Sequence, residues 1–278
     1  MQIIHKTLPR KHKLFLAGDF HIGSLQCNLN RVEELIRTVK SEQDNYIILM
    51  GDQVEAIAYN DPRYDGTNPY NPLEQMNIFI DMFEPIKDRI IAILDGNHEL
   101  KLRPFGLVTR DIQCKALGAE YGTSSCVVAL EDEENNLMYR VYCHHGFNST
   151  NPKSPSYLMR ETRIKEWFKA NLREKCGDAV IMALGHVHKL IVYPPQQSLC
   201  LATTGQGIKS SYVVPRAVGG GYLHPDFRWY VGTGSFLKQY SLGHSSYSEI
   251  AGYDPVDLGY AVVNVWDSYP KTVERVVV

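Results

Sequence analysis

Lys13-Leu14-Phe15-Leu16-Ala17-Gly18-Asp19-Phe20-His21 carries a short apolar run straight into two residues of metal-ligand type. A run without polar alternation is what a strand needs when both of its faces are covered, as in a parallel sheet flanked by helices. The pattern recurs along the chain. Tyr46-Ile47-Ile48-Leu49-Met50 ends in Gly51-Asp52, residues 89–94 end in Asp95-Gly96-Asn97-His98-Glu99, and residues 179–184 end in Gly185-His186-Val187-His188. Residues 137–143 run into His144-His145-Gly146. The carboxyl ends of parallel strands face a common crevice, so these dispersed clusters are expected to converge.

The segments between the runs read as helices and turns. Leu29, Val32, Leu35, Ile36 and Val39 fall at helical spacing, and further helices are predicted over residues 73–83, 107–117 and 156–172. Strands near 125–130 and 137–143 flank Glu131-Asp132-Glu133-Glu134-Asn135-Asn136, which reads as an exposed hairpin tip. The rest is β-rich, with strands expected near 190–193, 199–203, 229–231, 260–265 and 273–278. With no repeat or linker in view, residues 1–278 are expected to form a single α/β domain. Two long loops call for a functional reason: residues 58–72, with Tyr59, Tyr64 and Tyr70, and residues 205–227, with Arg216, Gly219-Gly220-Gly221, Tyr222 and His224.

Composition narrows the partners. Twenty-nine Lys and Arg against 31 Asp and Glu leave a net charge of -2, so no long-range field gathers nucleic acid, and a polyanion would have to be bound locally. His5-Lys6 and Arg10-Lys11-His12-Lys13 make a basic N-terminal arm, but the apolar run behind it is too short for a signal peptide. No stretch approaches the roughly 18 apolar residues of a membrane span. Cys27, Cys114, Cys126, Cys143, Cys176 and Cys200 are scattered without a C-x-x-C pair, as expected of reduced thiols in a cytoplasmic protein.

The clusters themselves point to metal chemistry. Carboxylate, carboxamide and imidazole donors without thiolate suit Mn²⁺, Fe, Zn²⁺ or Ni²⁺ rather than a structural cysteine site. In Asp19-Phe20-His21 and His186-Val187-His188, extended backbone would put both polar side chains on one face and the middle residue into packing. Taken alone, His21 or His186 reads as an ordinary partly buried histidine; the repeated pattern overrides that. His5, His12, His224 and His244 lack such a context and read as surface or packing residues.

The ordered set D-x-H, G-D-x-x-E, G-N-H-E, H-G and G-H-x-H resembles the calcineurin-like metallophosphoesterase family from Asp19 to His188, with a weaker echo in Gly232-Thr233-Gly234-Ser235. The resemblance implies a four-layer α/β/β/α sandwich of two mixed sheets and flanking helices. It also implies two divalent metal ions, with Asp19, His21 and His188 on one, Asn97, His145 and His186 on the other, and Asp52 bridging. His98 matches the family's catalytic histidine, and Glu55, where the family commonly has Asp, is expected to orient it. His144 remains an alternative to His145 as ligand, and Glu99 is expected to brace its loop.

The implied activity is hydrolysis of a phosphoester by metal-activated hydroxide. Family members that act on proteins usually place arginine and glycine after the residue matching Glu55, whereas this chain has Ala56-Ile57, which favours a phosphodiester, with nucleotide or nucleic acid as candidate substrates. A phosphomonoesterase acting on nucleotides or small metabolites, and a non-catalytic scaffold of the same fold, are the competing readings. Arg103 and Arg110 are candidate phosphate contacts, and the tyrosines of residues 58–72 a candidate lid or stacking surface. The basic residues of the helix near 156–175 read as a solvated face rather than a polyanion stripe.

Overall fold

The continuous apolar runs become strands buried on both faces, and that double burial generates the layers. The computed structural model describes residues 1–278 apart from 58–60, 62–63, 65–67, 147, 149–152, 206, 214–220 and 244. Its first half runs β1 (Gln2–Thr7), β2 (His12–Ala17), α1 (Leu29–Ser41), β3 (Asn45–Leu49), α2 (Pro72–Phe83), β4 (Ile90–Ile93), α3 (Asn97–Leu100), α4 (Lys115–Leu117), β5 (Glu120–Tyr121), β6 (Ser125–Glu131) and β7 (Leu137–His144). There follow α5 (Tyr157–Leu172), β8 (Ile181–Leu184), β9 (Leu190–Tyr193), β10 (Ser198–Thr204), β11 (Gly207–Val213), β12 (Trp229–Thr233), α6 (Tyr247–Ile250), β13 (Gly259–Trp266) and β14 (Tyr269–Val277).

One six-stranded sheet has the order β14-β13-β2-β3-β4-β5, and the other β1-β6-β7-β8-β12-β9. β2, β3, β4 and β5 are parallel, as are β7, β8 and β12, with β13 and β9 antiparallel beside them. Alternation along each strand splits its side chains between two cores. Leu14, Leu16 and Ile48 face Val141, Cys143, Ile181, Ala183 and Val231 between the sheets. Phe15, Ala17, Ile47 and Leu49 turn the other way, onto Val32, Leu35, Ile36 and Val39 of α1 and Met76, Phe79 and Phe83 of α2. From the second sheet Tyr142, Met182, Leu184 and Tyr230 point outward to Phe168 and Leu172 of α5. Two mixed sheets face to face with helices outside make the four-layer α/β/β/α sandwich.

Several expectations need correction. The basic arm is partly strand: β1 pairs in parallel with β6. As an edge strand it buries only Ile4 among its hydrophobic residues, so it lacks the apolar signature that marks the inner strands. The arm's charge is met by the acidic hairpin tip, with His5 Nδ1 2.7 Å from Glu131 Oε1 and Arg10 Nη2 2.8 Å from Asp132 Oδ2. Within the expected loop 205–227, residues 207–213 pair with β10 as a hairpin, and Arg216, Gly219 and Gly220 lie outside the described residues. The helix expected over 107–117 is a wide π-helical turn, Thr109–Cys114, running into α4.

Arg228 shows how the second sheet is tied to α5. The side chain is fully buried, and its guanidinium donates to the carbonyl oxygens of Leu223 and Arg173, each at 2.9 Å, and of Gly177 at 3.2 Å. Arg173 caps α5 and Gly177 precedes β8, so one side chain holds both to the segment entering β12. Replacing it, Arg228→Leu, leaves those carbonyls without donors and is expected to lower the unfolding free energy by about 3 kcal/mol in urea denaturation. A loss below about 1 kcal/mol would mean that water replaces the guanidinium at little cost.

Candidate metal centre

The segments that follow β2, β3, β4, β7 and β8 meet at one edge of the sandwich. Asp19, His21 and His188 form a group whose donor atoms lie within 4.8 Å of one another, as do His21, Asp52 and His98, and again Asp52, His145 and His186. The groups share His21 and Asp52, so they merge into one cluster. Asn97 joins it, with Oδ1 2.7 Å from His186 Nδ1 and 3.1 Å from His145 Nε2. All the residues singled out from the motifs are therefore in one place, and it is His145 rather than His144 that enters the groups.

The local backbone is not the extended chain expected for Asp19-Phe20-His21 and His186-Val187-His188. Asp19, His21, Asp52, His186 and His188 all have left-handed φ, between 49° and 64°. Side chains are thus aimed by tight turns just past the strand ends, a conformation that costs a non-glycine residue about 1–3 kcal/mol and persists where surroundings enforce it. Glu99 supplies part of the enforcement: its carboxylate accepts from the N–H groups of Gly96 (2.9 Å), Asp52 (3.0 Å) and Val54 (3.0 Å). Burial, reinforced by the charge of Asp52, lifts Glu99 to about 7. Two glycines give the close approach. A Cβ on Gly96 would lie 2.0 Å from Asp52 Oδ1, and one on Gly51 2.4 Å from His145 Nδ1.

Hydrogen bonds to acceptors outside the cluster select the tautomers. His21 Nδ1–H donates to Glu55 Oε2 at 2.8 Å, and His145 Nδ1–H donates to the Met50 carbonyl at 2.8 Å. His98 Nδ1–H donates to the Glu55 carbonyl. A neutral ring bonded in this way carries its proton on Nδ1, which leaves Nε2 as the nitrogen a bound cation would take. His21 Nε2 and His188 Nε2 lie 3.3 Å apart, and Asp19 Oδ1, wholly buried 3.2 Å from His188 Nε2, satisfies no hydrogen bond. Imidazole nitrogens and an unsatisfied carboxylate oxygen brought face to face are a donor set that fits a cation.

The electrostatics state the same demand. Burial opposes ionisation of Asp52, yet His145, His98 and His21 outweigh it and hold the carboxyl well below its ordinary range. Burial likewise disfavours imidazolium, but Glu55 and Asp52 lift His21 to about 9, and Asp52 and Asp19 lift His145 to about 10. At His98 burial prevails and lowers it to about 4. Positive charge is called for on the carboxylate side of the cluster.

A sequence profile of the calcineurin-like phosphoesterases matches residues 12–205. The chain belongs to the calcineurin-like phosphoesterase family. The search of curated proteins found no match. Among solved structures it is similar to Vps29 of Chaetomium thermophilum, at 12% identity over 95% of this chain and 96% of that one, with a TM-score of 0.36. A metallophosphoesterase from Sphaerobacter thermophilus aligns at 14% identity over 96% and 88% of the two chains, TM-score 0.37. The NAD nucleotidase of Haemophilus influenzae aligns at 9% identity over 96% of this chain and 50% of that one, TM-score 0.41. Likenesses this distant say nothing of substrate.

Family membership and the His/Asp cluster together indicate a divalent-metal site. One contact departs from the family-based expectation. Glu55 meets His98 through its backbone carbonyl, while its carboxylate goes to His21. A glutamate at this position thus braces a cluster histidine with its side chain and leaves the main chain to hold His98. Arg110 pairs with Asp111 at 3.0 Å, and Arg103 stands 3.7 Å from Asp95, so each faces a carboxylate of its own neighbourhood. Cationic residues of α5 and its end are similarly engaged, Lys169 with Asp226 at 2.7 Å and Arg173 with Glu174 at 3.0 Å.

Other supports escaped the motifs. Gln75, wholly buried on α2, accepts from the Ala56 N–H at 2.8 Å; a glutamine on an otherwise apolar helix face was the available signal. Ser235 Oγ and Phe236 N–H both donate to the Asp19 carbonyl at 3.0 Å, which accounts for the echo of the family pattern there. The bracing by Glu99 gives a direct test. Glu99→Gln turns one acceptor oxygen into a donor facing backbone N–H groups, and Mn²⁺ affinity by titration calorimetry is expected to fall roughly 10-fold or more, with a lower Tm. Unchanged affinity would mean that these loops hold their shape without the carboxylate.

Proposed function

We propose that the chain is a metal-dependent phosphodiesterase that uses two divalent cations. The observation that carries this reading is the pair of donor triads, Asp19–His21–His188 and Asp52–His145–His186, lying back to back. The Asp52 carboxylate stands between them, 3.4 Å from His145 Nε2 and 3.8 Å from His21 Nε2. In this reading Asp19, His21 and His188 would hold one cation and Asn97, His145 and His186 the other, with Asp52 serving both. The orphaned Asp19 Oδ1 and the set of O and N donors without thiolate fit Mn²⁺ first, with Fe, Zn²⁺ or Ni²⁺ as alternatives.

Bound cations would supply Lewis acidity, making water nucleophilic near neutral pH and neutralising the phosphoryl oxygens during in-line displacement. The protein's own groups do the rest. His98, fixed through Nδ1 to the Glu55 carbonyl, turns Nε2 toward the cluster, 4.0 Å from Asp52 Oδ2. From there Nε2 would hand a proton to the departing oxygen, and the negative charge of the substrate favours the imidazolium form this transfer needs. Glu55 would act twice, steadying His21 with its carboxylate and His98 with its carbonyl.

Support for a diester comes from the residue after Glu55. Ala56 sits there with its N–H committed to Gln75, where protein-directed members of the family usually carry arginine. A nucleotide or nucleic-acid substrate is compatible with the charge of -2 because phosphate contacts can be local. The free cysteines fit a reducing cytoplasm. No described helix is long and apolar enough to cross a membrane.

The test compares a diester, a monoester, a cyclic nucleotide and single- and double-stranded nucleic acid, with Mn²⁺ and with chelator. Diester turnover that chelation abolishes and Mn²⁺ restores is expected; monoester turnover alone would overturn the diester assignment, and turnover indifferent to chelator the metal mechanism. His98→Ala is expected to cut turnover by about 10²-fold or more while metal content stays near two per chain. Asp52→Asn should weaken both cations together, and a variant that retains full metal by elemental analysis would remove Asp52 from the bridging position.

A further inference from the structure

The Glu55 carbonyl and the Ala56 N–H belong to one peptide group, and that peptide is trans. A trans peptide is planar with its C=O and N–H pointing opposite ways, so fixing one end fixes the other. Each end here has its own partner. The N–H donates to Gln75 Oε1 at 2.8 Å, and the carbonyl accepts from His98 Nδ1–H. Ala56 has a left-handed φ of 47°, which a residue with a Cβ disfavours, so the carbonyl faces His98 only while its peptide is held from the far side. The Glu55 carboxylate offers no substitute, because it is committed to His21 Nδ1 at 2.8 Å.

Gln75 is placed to be that hold. It is fully buried on α2, whose first turn is closed by a capping box between Asn71 and Glu74. Its Nε2 donates to the Tyr70 carbonyl at 2.9 Å, so a backbone acceptor on one side and a backbone donor on the other leave the amide a single orientation. Gly23, with φ of 104°, packs against the same side chain: a Cβ there would lie 2.4 Å from Gln75 Cγ and Cδ. Glu55 is tied from its other side as well, its N–H donating to the Ile22 carbonyl at 3.0 Å.

We propose that Gln75 is a positioning residue for His98: by holding the Ala56 N–H it aims the Glu55 carbonyl at His98 Nδ1 and so keeps the ring turned with Nε2 toward the departing oxygen. This rests on the role given to His98 in the phosphodiesterase reading above. Gln75 acts through the peptide between Glu55 and Ala56, and both of its partners are backbone groups outside the donor triads. An acid oriented before the reaction begins contributes to the rate because the transition state need not first arrange it.

A poor leaving group needs a proton from the acid more than a good one does, so the experiment compares kcat of the Mn²⁺-loaded full chain on methyl 4-nitrophenyl phosphate and on methyl phenyl phosphate. Gln75→Met is close in volume and removes the acceptor, and it should raise the ratio of nitrophenyl to phenyl turnover by about tenfold or more with little change in either KM. Gln75→Glu still accepts from the Ala56 N–H and should keep the ratio within about threefold of wild type. In a His98→Ala background, Gln75→Met should move the ratio by less than about twofold, because the group it positions is gone. Magnetic resonance of isotope-labelled imidazole nitrogens, with Zn²⁺ in place of Mn²⁺, gives a readout independent of turnover. The His98 Nδ1–H signal, identified by its loss in His98→Ala, should give way to a mixture of tautomers in Gln75→Met. A ratio that Gln75→Met leaves unmoved, an equal rise in the His98→Ala background, a Gln75→Glu variant as impaired as Gln75→Met, or an unaltered His98 signal each overturns the proposal. Wild-type protein that hydrolyses neither ester overturns the phosphodiesterase reading instead, and the imidazole spectra then decide alone whether Gln75 positions His98.

Discussion

The carboxylate of Asp52 is buried among imidazoles, 3.4 Å from His145 Nε2, 3.8 Å from His21 Nε2 and 4.0 Å from His98 Nε2. In surroundings of low dielectric such a charge is tolerated only when it is closely compensated. Compensation requires rings from three different strand ends to point at one spot, and a ring can do so only if its far nitrogen is satisfied elsewhere. That is the office of the Met50 carbonyl behind His145, the Glu55 carboxylate behind His21 and the Glu55 carbonyl behind His98. Each acceptor belongs to the segment just after β3, so a few residues there orient three of the cluster's five histidines.

Such convergence has a conformational cost. Asp19, His21, Asp52, His186 and His188 sit in left-handed backbone, which relaxed chains of non-glycine residues avoid. Glu99 holds the β3 and β4 segments together through three N–H groups, and Asp19 Oδ2 accepts from the His186 N–H at 2.9 Å, linking the β2 and β8 segments. Carboxylates of the cluster therefore serve as acceptors for main-chain donors that left-handed turns would otherwise leave bare. The strain and its remedy are built from the same residues.

Much of this was legible in the sequence for a physical reason. Strands covered on both faces need unbroken apolar runs, and Lys13–Ala17, Tyr46–Met50 and residues 179–184 displayed them, so the inner strands and their ligand-bearing ends could be read directly. β1 could not, since an edge strand with one buried hydrophobic residue leaves almost no pattern. β10 was read near 199–203, but its hairpin partner β11 was hidden because Ile208 and Tyr212 are exposed rather than packed. At the site, residue types announced the donors, but the partner of Glu55 depended on a left-handed turn at Ala56 and on where main chain ran, neither of which residue identity specifies. Gln75 gave a weaker signal still, because its partners are backbone groups rather than motif neighbours.

The spacing of the donors within each triad is finally a property of the core between the sheets. Asp19, His21 and Asp52 leave the sheet of β2 and β3, whereas His145, His186 and His188 leave that of β7 and β8, so no hydrogen bond within one sheet sets their spacing. Close-packed interiors transmit displacements of a methylene's size. Met50 makes the coupling explicit: its side chain lies in the inter-sheet core among Val128, Cys143 and Ala183, while its carbonyl receives Nδ1–H of His145 from the opposite sheet. Its own N–H donates to the Ala17 carbonyl at 2.8 Å, two residues before Asp19. A change of volume in that core would distort both triads at once without touching any donor, because each draws on both sheets, which is why the geometry of the site has to be understood as an outcome of sheet packing as much as of the residues that line it.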